Sequence, residues 1–154
     1  MTLRERLEAD LKTAMVARDR ERLSCLRMIK SKVQEKEVAL RADRGKDYRL
    51  EEAELLQVIS AYAKQRRDSI AGYESGGRTE LAERERAELA MVSEYLPRQL
   101  DEAQIRELVA AAIEESGASS AREMGQVMKL LMPRTQGVAD GKLVSSIVRE
   151  LLAS

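Results

Sequence analysis

The 154-residue sequence contains no histidine, no tryptophan and no phenylalanine, and it has a single cysteine. Without histidine the chain has no Ser-His or Cys-His pair for nucleophilic catalysis, no imidazole metal ligand and no imidazole for acid–base chemistry. The lone cysteine, Cys25, excludes a framework of internal disulfides. Because it lies beside Leu23 and Leu26 in a helical apolar pattern, it is predicted to be a buried structural thiol and not a nucleophile.

A net charge is also missing, since Lys plus Arg and Asp plus Glu both number 27. No overall field attracts the chain to nucleic acid, so a contact with RNA would have to come from a local basic patch. The content of 44% hydrophobic and 35% charged residues is typical of a soluble globular protein. No apolar segment has the length of a membrane span or the form of a cleaved leader, so we expect a cytoplasmic protein with no membrane contact.

Motifs for autonomous catalysis are absent as well. There is no nucleotide-binding loop of the form G-x-x-x-x-G-K-[ST], and no glutaminase nucleophile can be paired with a base. The acidic residues of segment 83–86 alternate with arginines, which is typical of a solvated helix face and not of a catalytic carboxylate pair. We therefore expect no catalytic residue, no metal site and no cofactor, and a chain that is not an enzyme on its own.

Helical periodicity fills most of the sequence, whereas no segment alternates apolar and polar residues over the length of a strand. An all-α fold follows. The residue before a proline is disfavoured in a helix, so the sequence Leu96-Pro97 predicts a domain boundary. We expect a four-helix N-terminal domain over residues 1–96 and a smaller three-helix domain over 101–154. Capping boxes that mark helix starts are predicted at three pairs: Thr2 with Glu5, Asp101 with Gln104, and Ser120 with Glu123.

Two features of the helices leave alternatives open. Arg66 falls on the apolar stripe of the third helix, so its guanidinium must either extend to solvent or pair with a carboxylate. Met124, Met128 and Met132 are spaced four apart and form a pliable apolar ridge, which suits either a small core or a partner-binding surface. We favour the core.

The segment 124–152 contains the candidate site. Its two amphipathic helices flank a loop punctuated by Pro133, Gly137 and Gly141, so the loop should hold a definite shape. Glycines could bring backbone N–H groups close to a phosphate, but the Asp140 carboxylate is placed to cap the last helix and would repel an anion. We therefore assign Gly137 a turn role first, and the basic side chains have the better claim to bind RNA. Those side chains are Lys129, Arg134 and Lys142.

Several segments together resemble the signature of the GatB/YqeY family. They are Lys64-Gln65-Arg66-Arg67-Asp68-Ser69-Ile70, Gly76-Gly77-Arg78, Glu94-Tyr95-Leu96-Pro97, Gly125-Gln126-Val127-Met128, and Gly137 followed by Ala139-Asp140-Gly141-Lys142-Leu143-Val144. Nearly the whole chain looks like a free-standing YqeY-type protein. Its second half is similar to the tail domain of the B subunit of glutamine-dependent amidotransferase, which amidates Glu-tRNA(Gln) or Asp-tRNA(Asn).

This resemblance implies an accessory tRNA-binding module related to a carbon–nitrogen ligase that uses glutamine as amide donor. In that hypothesis residues 101–154 recognise folded tRNA through Lys129, Arg134, Gly137 and Lys142, and catalysis belongs to another polypeptide. The alternative is a helical adaptor or homo-oligomer that binds protein and not RNA. The neutral net charge favours the alternative.

Overall fold

The computed structural model describes residues 1–153, and this part of the chain forms seven α-helices and one 3₁₀ turn without any strand, which confirms the all-α class. The helices are α1 (Leu3–Ala17), α2 (Arg20–Arg44), α3 (Glu52–Ser75), α4 (Thr79–Ser93), α5 (Glu102–Ser116), α6 (Met124–Thr135) and α7 (Gly141–Ala153), with the 3₁₀ turn at Ala121–Glu123. None of these helices is long and apolar enough to cross a lipid bilayer.

The chain divides into two compact units, Met1–Leu96 and Pro97–Ser154. We call them the N-terminal unit, which contains α1 to α4, and the C-terminal unit, which contains α5 to α7. Each has its own cluster of buried apolar side chains, so each has its own hydrophobic core.

Local capping explains where α1 and α2 begin. Thr2 and Glu5 form the predicted capping box, with the Glu5 N–H donating to the Thr2 hydroxyl at 3.2 Å and the Thr2 N–H donating to the Glu5 carboxylate at 2.9 Å. Arg18 ends α1 in the left-handed region with φ 57, and the Asp19 carboxylate then accepts from the Arg22 N–H at 3.2 Å. The two helices therefore join through a turn of two residues.

In the N-terminal unit α3 packs most extensively against α4, and Gly77, with φ 70, turns the chain between them. Arg66 on α3 pairs with two carboxylates of α4, those of Glu85 at 3.1 Å and Glu88 at 3.5 Å. Its guanidinium carbon also lies 4.7 Å from the centroid of the Tyr62 ring. Of the two alternatives for Arg66, pairing with a carboxylate is therefore confirmed.

The C-terminal unit is built on a core to which all three of its helices contribute. The buried residues are Ile105, Val109, Ala112, Val127, Leu131, Val144, Ile147, Val148 and Leu152. Asp101 and Gln104 form the predicted capping box of α5, and Gly117, with φ 69, ends that helix.

The capping box predicted for Ser120 and Glu123 is wrong. A 3₁₀ turn occupies Ala121–Glu123 before α6 begins, and the Ser120 side chain makes no capping hydrogen bond. The Glu123 carboxylate instead accepts from the Ser119 hydroxyl at 3.3 Å. The tighter 3₁₀ turn changes the position of residue 123 relative to the helix start, so the capping geometry of an α-helix does not form.

Candidate functional site

The loop between α6 and α7 is shorter than the sequence predicted. Pro133 lies within the last turn of α6 and Gly141 is the first residue of α7, so only residues 136–140 separate the two helices. Proline has a backbone φ that a helix accepts, and the helix here continues beyond it to Thr135. The Thr135 side chain is 7% exposed and donates to the Leu131 carbonyl of the same helix at 3.0 Å, so the buried hydroxyl has an acceptor.

Gly137 has φ 80, in the left-handed region that favours glycine, so it performs the turn role expected of it. Its carbonyl accepts from the Gln99 side-chain amide at 2.9 Å. The next carbonyl, that of Val138, accepts from the Leu100 N–H at 2.8 Å. The loop is thus tied to the segment that precedes α5, and it holds a definite shape.

Asp140 caps α7, as predicted. Its carboxylate accepts from the Lys142 N–H at 3.2 Å, and its carbonyl accepts from the Val144 N–H at 3.0 Å. A carboxylate at this position satisfies a backbone donor and places negative charge at the start of the helix. An anion would therefore be bound by the basic side chains of the region and not by the N-terminus of α7.

The three predicted basic side chains are all exposed, and they are divided between two helices, with Lys129 and Arg134 on α6 and Lys142 on α7. Lys129 lies on the side of α6 opposite to the buried Val127, and it makes no ion pair within residues 1–153. Arg134 follows five residues later, which places it about 140° further around the helix. Its guanidinium pairs with the Glu115 carboxylate of α5 at 2.7 Å. That hydrogen bond lowers the pKa of Glu115 below its ordinary value.

Lys142 lies in the first turn of α7, on the outer side of the helix. Helices α1 to α5 each carry a glutamate in this first turn, where negative charge complements the helix dipole. A lysine there is electrostatically unfavourable for the helix itself.

Two further basic side chains, Arg122 and Arg149, were missed by the sequence analysis. Both are exposed, and neither has an ion pair in the described part of the chain. Arg149 follows Lys142 by seven residues, two helical turns, so both lie on the outer side of α7. This spacing was the signal that could have identified Arg149. Arg122 lies in the 3₁₀ turn, which the sequence did not reveal.

The methionine ridge is divided between two environments. Met124 and Met128 are partly buried and pack against the core of the C-terminal unit, as we expected. Met132 is 58% exposed. The ridge is therefore core at its beginning and accessible surface at its end.

Cys25 lies in the N-terminal unit and is 3% exposed. Burial raises the pKa of its thiol from 9.0 to about 12, and the nearby negative charge of Glu88 contributes to the same shift. The thiol stays protonated near neutral pH, which confirms the predicted structural role and argues against a nucleophile. No group of three or more Asp, Glu or Cys side chains within residues 1–153 could hold a metal ion.

Comparison with known proteins gives a family match across both units. The model of the Yqey-like protein family matches residues 4–152. The chain belongs to the Yqey-like protein family. The family resemblance seen in the sequence is therefore confirmed.

Three yeast relatives are similar to part of this chain, and each is named altered inheritance of mitochondria protein 41, mitochondrial. The protein of Lachancea thermotolerans is 37% identical, that of Vanderwaltozyma polyspora 34%, and that of Saccharomyces cerevisiae 30%. Each match covers 90 residues, which is 58% of this chain and 46% of the yeast protein. The chain thus matches about half the length of these relatives.

The relatives correct one expectation and leave another open. A cytoplasmic location was predicted from the sequence, and this prediction is wrong, because the relatives are named as mitochondrial proteins. Their names mention neither tRNA nor an amidotransferase. Binding of tRNA therefore stays a prediction.

Proposed function

We propose that this protein is an accessory RNA-binding module whose C-terminal unit binds the backbone of folded tRNA, while any catalysis belongs to another polypeptide. The observation that carries the proposal is the placement of Lys129 and Lys142. Both side chains are exposed on the outer sides of helices α6 and α7, and a turn of fixed shape connects those helices. Their ammonium groups can therefore reach phosphates without any change in the core.

The kind of contact follows from the aromatic residues. All four tyrosines precede residue 97, and the chain has no phenylalanine or tryptophan. The C-terminal unit therefore cannot stack bases on aromatic rings, which is how many proteins bind single-stranded RNA. The proposed contacts of the C-terminal unit are therefore to the phosphates and the folded shape of the RNA.

Arg134 can take part even though it pairs with Glu115. Both side chains of this pair are about half exposed, at 38% and 50%. Exposed ion pairs contribute little to stability, so a phosphate can replace the Glu115 carboxylate as partner of Arg134 at low cost. Gly137 contributes through the turn that connects α6 to α7, and not through a contact of its own.

The test is a titration of the protein with total tRNA over a series of salt concentrations. If Lys129, Arg134 and Lys142 each contact a phosphate, the slope of log K against log salt should be roughly −2 to −3, and each substitution to alanine should reduce its magnitude by about one. Lys12, Lys36 and Lys46 of the N-terminal unit replaced by alanine provide a matched control, because the same amount of positive charge is removed from exposed side chains outside the C-terminal unit and the salt slope should stay at the parent's value.

The proposal fails if a triple alanine variant of these basic residues keeps the parent's helical circular dichroism, its tRNA affinity and its salt slope. In that case a helical adaptor that binds protein becomes the better hypothesis. Two exposed apolar side chains favour it, Met132 at 58% and Leu143 at 37% exposure. Replacing both with serine would then abolish binding to the protein partner and leave the fold intact.

A further inference from the structure

Gly125 is a glycine for which the protein itself offers no reason. It is the second residue of α6, it is exposed, and its backbone is not left-handed. Apart from its chain neighbours and the adjacent backbone of α6, a Cβ atom added at this position would meet no atom within 4 Å. Neither backbone conformation nor internal packing requires a glycine here.

Glycine in a helix is nevertheless unfavourable. It loses more backbone freedom on folding than alanine does, so alanine should make α6 more stable. The other common reason for a glycine is the close approach of a second molecule to the backbone, which a side chain would block. An exposed glycine with open space around it fits this explanation.

The neighbours of Gly125 on the helix surface are basic. Arg122 precedes it by three residues and Lys129 follows by four, so both lie next to it on the same side. Both are exposed and make no ion pair with any described residue. The only carboxylate between residues 121 and 136 is that of Glu123, which is half-buried and accepts from Ser119.

We propose that the sugar–phosphate backbone of RNA crosses α6 at Gly125, with Arg122 and Lys129 binding phosphates on either side. This inference rests on the proposed function and deepens it by naming the contact surface. A polyanion suits the surface because two cations flank the glycine, while the one carboxylate of the segment, that of Glu123, is half-buried and accepts from Ser119. The bare helix backbone lets the chain of phosphates come close enough for both cations to reach it.

The experiment uses the full chain, total tRNA as the probe, and Gly125→Ala as the central variant. Its melting temperature should rise by about 2–4 °C, because alanine favours the helix. Its affinity for tRNA should fall roughly tenfold, the effect of displacing one good contact. The salt slope should stay unchanged, since no charge is removed, whereas Arg122→Ala and Lys129→Ala should each reduce it by about one unit.

Gly72→Ala is the matched control. Gly72 is also helical and exposed, and an added Cβ would likewise meet nothing within 4 Å, but it lies on α3 of the N-terminal unit. The substitution should raise the melting temperature by a similar amount and leave tRNA affinity at the parent's value. If only Gly125→Ala loses affinity for tRNA, the loss comes from a side chain at position 125 and not from the higher stability of a helix.

Three results would overturn the inference. If the parent binds tRNA and Gly125→Ala binds it equally well, the contact lies elsewhere and the proposed function stands. If Gly125→Ala melts at a lower temperature than the parent, the glycine has an internal role. If the parent shows no salt-dependent binding of tRNA, the proposed function itself is wrong, and this contact surface with it.

Discussion

The two units of the molecule differ in the interactions that stabilise each of them internally. The core of the N-terminal unit includes polar links between elements: buried Glu37 accepts from the Leu50 N–H at 2.8 Å and from Arg4 at 2.8 Å. The Tyr95 hydroxyl donates to Asp10 at 2.5 Å. In the described part of the C-terminal unit, Thr135 is the only buried polar residue, and it bonds within its own helix.

The two units also differ in helix length. Helices α2 and α3 have 25 and 24 residues, whereas the three helices of the C-terminal unit have 12 to 15. Buried polar groups need hydrogen-bond partners, and in the N-terminal unit Glu37 and the Tyr95 hydroxyl find them on other elements. The short helices of the C-terminal unit share one apolar core, and the ion pairs between them, Arg134 with Glu115 and Arg106 with Glu150, lie at the surface.

The largest expected difference between the units is their response to alkaline pH. Burial raises the pKa of Cys25 to about 12 and raises the pKa of Tyr62 and Tyr95 above the ordinary 10.0. Hydrogen bonds from Tyr62 to Glu88 and from Tyr95 to Asp10 add to these shifts. The folded unit therefore favours the protonated groups.

This stabilisation is complete below the unfolded pKa values and is lost progressively as pH rises from the unfolded towards the folded ones. Between pH 9 and pH 11 the N-terminal unit should lose roughly 3–5 kcal/mol of unfolding free energy. The C-terminal unit has neither cysteine nor tyrosine and should lose less. Urea unfolding followed by tyrosine absorbance, which reports the N-terminal unit alone, and by far-ultraviolet circular dichroism would measure both. Equal losses in the two units would contradict the comparison.

Glu37→Leu should be the next largest effect. The substitution leaves the Leu50 N–H without its acceptor and Arg4 without its carboxylate partner, and should cost about 3 kcal/mol in the N-terminal unit. Glu35→Leu is the control, because Glu35 is exposed and contacts only Lys32 at 3.6 Å. The unfolding free energies of both variants are measured by denaturant unfolding. If both fall by the same amount, Glu37 is not a structural link.

Gly137→Val tests the turn of the C-terminal unit. A β-branched residue is strained at φ 80, so unfolding free energy should fall by about 2 kcal/mol. Gly141→Ala should stay within about 0.5 kcal/mol of the parent, since Gly141 has room for a Cβ. Circular dichroism during thermal unfolding measures both, and a Gly137→Val variant as stable as the parent would show that the turn can change its conformation.

Cys25→Ala should have the smallest effect. A small volume is removed from the core of the N-terminal unit, at a cost of about 1–2 kcal/mol. The tRNA binding that we propose for the C-terminal unit should be unchanged in a filter-binding or anisotropy assay. A variant that is folded but no longer binds would show that Cys25 has a functional role.

The positions of the helices followed from local patterns. Apolar spacing predicts the helices, and capping residues such as Thr2, Asp101 and Gly117 mark their ends. Each of these signals lies within a few residues of the helix end that it defines. The candidate site was less predictable, because Arg134 has a partner on another helix and Arg122 lies in a 3₁₀ turn with no clear sequence signal. Glu37 was also missed, since a glutamate on a weak helical stripe gives no sign of burial; it is 4% exposed.

The sequence by itself determined the all-α class, the family, the need for a glycine at position 137 and the absence of histidine chemistry. These depend on residue identity and on neighbours a few positions away. Tertiary structure alone decided that Arg66 pairs with Glu85 and Glu88, that Arg134 pairs with Glu115, and that Gly125 stands in open space between two unpaired cations. These contacts depend on which helices lie side by side, and that arrangement results from the packing of segments that are distant in the sequence.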